Sequence, residues 1–264
     1  MIPDPKVIAL VRMCRLRADC AAVWAAISNP DQLAAWFPDR VEGGFALGDS
    51  GCWVFERFGL RVPYKVVARD EGRSIQWNFT TPENQGQVAF HLRADPEGSV
   101  LELVDNSTHA DPEERASSES GWIMVMASLD YWLTTAPGMK RESWFALRFT
   151  NFEREAVPEM YRTATGLARW LTREGSLGAE GTAYRLVLRD GTVMTGTVLA
   201  HSTHETLLSW DEQRALLTLK AFNYGPAGPA LAIHGFGYGM DPETAADHEA
   251  RFGAALERLI HCFS

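Results

Sequence analysis

The stretch VWAAISNPDQLAAWF, Val23–Phe37, decides the fold, because the chain carries its pattern twice. Apolar side chains recur at Val23, Trp24, Ile27, Leu33, Trp36 and Phe37, interrupted by Asn29-Pro30. Asn29 suits the cap of a new helix and Pro30 its first turn, where no amide hydrogen is needed. The stretch therefore reads as two short helices at an angle, each laying an apolar face on something else. A second copy, VPEMYRTATGLARWL at Val157–Leu171, begins 134 residues later and sets Leu167, Trp170 and Leu171 where Leu33, Trp36 and Phe37 stood. That spacing repeats a whole domain, not a solenoid unit. Pro158 falls inside the first helix of the second copy, which should start late or bend. With Gly166 in place of Gln32, that corner is expected to be less regular.

Outward from this motif the chain alternates apolar segments with turn residues. Val7–Leu16 reads as a first strand. Val41–Leu47, Cys52–Phe58, Arg61–Ala68, Ser74–Thr80, Gln87–Arg93 and Ser99–Asn106 then follow as a meander, with turn chemistry at Asp70-Glu71-Gly72, Pro82-Glu83-Asn84 and Asp95-Pro96-Glu97-Gly98. Asp111-Pro112 opens a helix, or one begins near Ser118, and Trp122, Met126, Leu129 and Leu133 form one stripe at helical spacing. Phe252, Leu256, Leu259 and Phe263 repeat that stripe 130 positions later, behind Asp241-Pro242. The second set of strands is Ser143–Thr150, Tyr184–Arg189, Thr192–Ala200, Glu205–Trp210, Ala215–Phe222 and Ala230–Tyr238. Pro137–Arg141 reads as a linker between domains at 1–136 and 142–264. The fold class is α+β: two tandem copies, each a curved antiparallel sheet around a long C-terminal helix that covers its concave face.

The chain of 264 residues is 46% apolar and 22% charged, the balance of a globular protein. Its net charge of −9 argues against a nucleic-acid surface or an anionic membrane patch. No apolar run approaches a membrane span, and the first residues lack the layout of a signal peptide, so a cytoplasmic location is expected. Cys14, Cys20, Cys52 and Cys262 fit no metal or redox spacing and read as free thiols.

Val23-Trp24 through Leu33-x-x-Trp36-Phe37, the Ser74-Ile75-Gln76-Trp77 strand, Thr108-His109 ahead of Gly121-Trp122, and Leu129-x-x-x-Leu133 together resemble the START-like SRPBCC superfamily. The branch they resemble is that of homologues of the activator of the heat-shock-protein-90 ATPase (AHSA-type). The resemblance implies the helix-grip fold and an apolar cavity between sheet and C-terminal helix. Its signatures are hydrophobic and specify a fold better than a reaction.

The usual chemical motifs are absent. His201-Ser-Thr-His204 lies in an expected turn without an acidic or cysteine partner, which favours a solvated loop over a metal pair. Gly235-Phe-Gly-Tyr-Gly239 lacks nucleotide-loop spacing and reads as close packing in a strand. There is no G-x-S-x-G, H-E-x-x-H or Walker motif, so no catalytic residue, metal or cofactor is assigned. Polar residues bordering the expected cavity of the first copy are Glu56, Arg57, Gln76, His91, Asp105 and His109. If Trp53 and Phe55 point inward along a strand, Arg57 does too. The candidate ligand-binding set is Trp53, Phe55, Arg57, Trp77, Phe79, His91, His109, Trp122 and Met126. Tyr184, Trp210, Phe222, Phe252 and Leu256 stand in the corresponding region of the second copy. The balance favours a module binding an apolar small molecule in the first copy. A co-chaperone-like or other docking role, with a protein partner or a homodimer, and a cyclase- or hydrolase-like enzyme are the alternatives.

Overall fold

The computed structural model describes residues 9–81, 85–107, 112–151, 157–202, 205–223 and 228–263. The chain divides into two units, Met1–Met139 and Lys140–Ser264. In the first, β1 (Leu10–Leu16), α1 (Cys20–Ser28) and α2 (Pro30–Ala34) precede β2 (Arg40–Gly43), β3 (Ser50–Phe55), β4 (Leu60–Asp70), β5 (Ser74–Thr80), β6 (Gln85–Asp95), β7 (Gly98–Asp105) and α3 (Pro112–Thr135). The second unit repeats the order as β8 (Arg141–Phe149), α4 (Pro158–Arg162), α5 (Ala164–Trp170), β9 (Thr172–Ser176), β10 (Ala183–Leu188), β11 (Val193–His201), β12 (Glu205–Trp210), β13 (Ala215–Asn223), β14 (Pro229–Tyr238) and α6 (Pro242–His261). Each unit holds one seven-stranded antiparallel sheet, ordered β1-β7-β6-β5-β4-β3-β2 and β8-β14-β13-β12-β11-β10-β9. Every neighbour in sequence is a neighbour in the sheet except the first strand, which closes beside the last. The architecture is thus two tandem α+β units of the helix-grip type.

The helix corners follow from their caps. Asp19 accepts from the Ala22 amide (2.8 Å), and Asn29 ends α1 while accepting from Asp31 N (2.9 Å) and Gln32 N (3.3 Å). Trp36, 1% exposed, then donates its indole N–H to the carbonyl of Ala26 (3.1 Å), pinning α2 to α1. Trp170 does the same to Met160 O (2.8 Å), each acceptor lying ten residues before its Trp. The duplication therefore extends to a single side-chain hydrogen bond. The second corner is less regular in its first helix, as Pro158 had led us to expect, since α4 starts late and spans five residues against nine in α1, with no side-chain cap; the helix holding Gly166 is regular. Pro158 occupies the first turn of α4, and Thr163 caps a regular α5 by accepting from Gly166 N (2.9 Å). A Cβ at Gly166 would overlap the Glu159 carbonyl and sit 2.7 Å from Met160 Cα, so this glycine lets two helices cross closely. Short β9, mostly exposed, is a strand the apolar pattern did not mark. Asp111, the expected cap of α3, lies outside the described residues.

Both sheets bulge at the same place, between Val66 and Ala68 in β4 and between Val198 and Ala200 in β11. With registers aligned on these bulges, the strand pairs around them correspond residue for residue, although β10 carries a further bulge between Val187 and Leu188 that β3 lacks. Trp53 opposite Val62 corresponds to Leu186 opposite Met194, and Trp77 opposite Val66 to Leu208 opposite Val198. Leu10 opposite Asp105 corresponds to Trp144 opposite Gly235. The two units share a strand order and differ in what fills the sheet's inner face.

Candidate functional site

In the first unit, aromatic rings gather on the inner face of the sheet. Trp53 on β3 stacks on Tyr64 (centroids 5.2 Å apart, interplanar angle 29°) and meets Trp77 edge-on at 5.7 Å. Phe79 lies 6.1 Å from Trp53, and Phe90 on β6 lies 5.6 Å from Trp77 and 6.4 Å from Trp122 of α3. Phe37, just after α2, touches Trp53 (5.6 Å), Phe55 (5.6 Å) and Trp122 (5.8 Å) and so joins helix corner, sheet and closing helix. Offset and edge-on pairs of this kind add to simple burial. The inner rings Trp53, Trp77 and Phe90 are buried, as is Met126, whereas Phe37, Phe55, Phe79 and Trp122 are only half-buried.

The polar groups here are few. Asp105, at the end of β7 and 2% exposed, accepts from the Trp122 indole N–H through Oδ2 (2.8 Å) and from Ser107 N (2.8 Å) and the Ser107 hydroxyl through Oδ1. Three donors on one buried carboxylate hold it in place, and through it they hold the Trp122 ring. The Tyr64 hydroxyl donates to the carbonyls of Glu42 (3.1 Å) and Gly44 (3.3 Å). Burial, then Asp49 and Cys52, push its pKa to about 12, so it stays neutral. Trp53 Nε1 and Trp77 Nε1 are buried with no hydrogen-bond partner among the described residues.

The candidate residues named from sequence therefore separate. Trp53, Phe55, Trp77, Phe79, Trp122 and Met126 all lie in the region of this cluster or its covering helix. Arg57 is exposed in a 3-10 turn, Glu56–Phe58, because β3 ends at Phe55 and strand alternation stops there. His91 is exposed on the outer face of β6, between buried Phe90 and Leu92. His109 lies outside the described residues, as does His204. Phe37, Tyr64, Asp105 and Phe45, whose ring lies 5.4 Å from Tyr64 and 5.5 Å from Trp77, join this cluster although the candidate set omitted them. The spacing of Phe37 after Trp36 had marked it only as a helix face, while Asp105 had been noted among bordering polar residues.

The second unit fills the matching space differently. Its inner face carries Leu186 and Leu208 where the first has Trp53 and Trp77, and Phe252 at the place of Trp122 on the closing helix. Trp144 lies over Gly235, whose Cβ, were there one, would fall 2.7 Å from its Nε1. The Trp144 ring stacks with Phe252 (6.4 Å, 11°). The glycines of the last strand thus leave room for chain side chains, Met240 lying in the same way over Gly237.

Among the described residues no cluster of His, Cys, Asp or Glu could hold a metal ion, and no helix is long and apolar enough to cross a membrane. The four cysteines are free, Cys52 buried and the others half-buried. Burial, aided by Asp130, pushes the Cys14 thiol up to about 11, which keeps it protonated and unreactive.

No curated protein sequence matches the chain significantly. Solved structures that resemble it include DynU16, from the dynemicin biosynthetic locus, at 18% identity and TM-score 0.45 over 98% of this chain and 99% of that one. The Aha1 dimer from Colwellia psychrerythraea resembles it at 17% identity and TM-score 0.45, over 50% of this chain and 99% of that one. CalU16 from Micromonospora echinospora does so at 18% identity and TM-score 0.41, over 48% and 76%. The family model described as "Activator of Hsp90 ATPase homolog 1-like protein" matches residues 17–134, which hold both the helix corner and the aromatic cluster. That match lies wholly within the first unit, Met1–Met139, and makes this unit similar to the activator of Hsp90 ATPase homolog 1-like proteins.

Proposed function

We propose that the first unit binds an apolar small molecule that carries a hydrogen-bond acceptor, held between the inner face of its sheet and α3. The observation that carries this reading is the pair of indole N–H groups of Trp53 and Trp77, buried without an acceptor in the middle of an aromatic wall. A buried indole N–H normally has a partner, and leaving one unpaired costs about 1–3 kcal/mol. Half-buried Phe55, Phe79 and Trp122 offer ring faces to a ligand at the edge of the same wall. Large apolar walls with a few fixed polar groups suit recognition of such a molecule. Asp105 takes part indirectly, by orienting Trp122. The leucines at the matching positions of the second unit, Leu186 and Leu208, favour the first unit as the binder.

Calorimetric titration of the full chain with a matched pair of probes tests this reading. The ketone 2-acetonaphthalene should bind saturably and about 3–10-fold tighter than 2-ethylnaphthalene, the value of one net hydrogen bond. Trp53→Phe and Trp77→Phe should shrink that ratio. No binding of either probe, or equal affinity for both, refutes the proposal.

A further inference from the structure

The second unit has a polar cluster of its own, independent of the reading above. His248 stands on α6 one turn before Phe252, and its ring centroid is 4.9 Å from Trp144 and 4.9 Å from Trp210. All three side chains are buried, His248 at 4% exposure. His248 Nδ1 lies 3.2 Å from Arg251 Nη1. A guanidinium can only donate, so Nδ1 accepts and the imidazole proton resides on Nε2. Burial, reinforced by the Arg251 charge and opposed by Asp247, lowers the His248 pKa to about 4, which keeps the ring neutral at pH 7. Among the described residues, His248 Nε2, Trp144 Nε1 and Trp210 Nε1 are all buried without a hydrogen-bond partner. Three N–H donors on touching rings, with no acceptor, are a deficit of one kind only.

We propose that the second unit encloses a small neutral molecule with a carbonyl-type oxygen, which accepts from His248 Nε2–H and from the indole N–H groups of Trp144 and Trp210. The donors select the acceptor: a molecule offering only N–H or O–H donors would leave all three groups unpaired. Charge selects against a carboxylate, because Arg251, the cation beside the imidazole, is already engaged. Arg251 Nε binds Asp190 Oδ2 at 2.7 Å, while its Nη1 serves His248. An anion among these rings would be desolvated without a counter-ion of its own. Packing selects a small molecule, since Trp144 already covers Gly235 and stacks on Phe252.

The test is a titration of the full ¹⁵N-labelled chain with cyclohexanone, methylcyclohexane and cyclohexanecarboxylate. Indole signals are assigned by single Trp→Phe substitutions, and the His248 ring by long-range ¹H–¹⁵N correlation. Cyclohexanone should move the Trp144 and Trp210 indole N–H signals and His248 Nε2 downfield with one common saturation curve, and methylcyclohexane should not. His248→Phe should weaken the effect on the indoles by about 3–10-fold, as expected for one hydrogen bond. Shifts confined to Trp53 and Trp77 would overturn this site while leaving the first-unit reading intact. Equal response to the hydrocarbon, preference for the carboxylate, a His248 proton on Nδ1, or a bound water seen by nuclear Overhauser effect and not displaced by the ketone would also overturn it.

Discussion

Replacing Trp36 probes the joint on which each unit is built. Its ring is 1% exposed, and its N–H closes on the Ala26 carbonyl in the last turn of α1. Truncating a buried aromatic of this size to Ala typically costs about 3–5 kcal/mol. Trp36→Phe keeps much of the ring but leaves the carbonyl without its donor, worth about 1–3 kcal/mol. With a urea slope of about 2 kcal/mol per molar, the midpoint of the first unit should fall by roughly 1 M for Phe and 2 M for Ala. Hydrogen–deuterium exchange mass spectrometry at increasing urea separates the units, because peptides from residues 9–81 and from 157–202 report them individually. Trp170→Phe should reproduce the loss in the second unit, where Met160 O is the stranded acceptor. If Trp36→Phe leaves the first-unit midpoint within about 0.2 M of the parent, the pinning hydrogen bond does not carry the joint and the reasoning fails.

Gly166→Ala should destabilise the second unit by about 1–3 kcal/mol, because the new methyl meets the Glu159 backbone, which cannot rotate away; unchanged urea unfolding would refute the close crossing. His248 gives the second unit a pH dependence of definite sign. Its folded pKa near 4 lies below the usual value near 6.5, so the unfolded chain takes up a proton first as pH falls, and stability is lost between those two values. From pH 7 to pH 5 that loss should reach about 2 kcal/mol in the parent and be absent from His248→Phe, as read from second-unit urea midpoints. Asp105→Asn keeps the shape but weakens the grip on Trp122, so affinity for 2-acetonaphthalene should drop by about 3–10-fold without loss of fold, as judged by calorimetry and circular dichroism.

The fold was legible because its signals were local and repeated. Asn29-Pro30 fixed one corner by capping chemistry, the paired stripes fixed the closing helices, although α6 ends at His261 and leaves Phe263 beyond it, and turn residues separated the strands. Gly166 was misread because a glycine's purpose lies in what approaches it, here the Glu159 carbonyl, and no neighbouring residue announces that. Strand alternation rightly set Phe55 on the face of Trp53, where both rings meet Phe37, but failed for Arg57, where a 3-10 turn breaks the period of two. His248 was readable in principle, four residues before Phe252 on the same helical stripe, had the stripe been followed one turn back. Trp144 was not. Its role depends on Gly235 across the sheet, a pairing that only the register supplies.

The central claim is that the indole N–H groups of Trp53 and Trp77 await an acceptor carried by a ligand. The most direct measurement is the ¹⁵N–¹H spectrum of the indoles in the full chain during titration with 2-acetonaphthalene. Trp36, whose N–H is already bound to Ala26 O, serves as the internal control. The account predicts saturable downfield shifts for Trp53 and Trp77 with Trp36 unmoved. Trp53 and Trp77 signals that stay in place at saturating probe, or that move no more than Trp36, would contradict it.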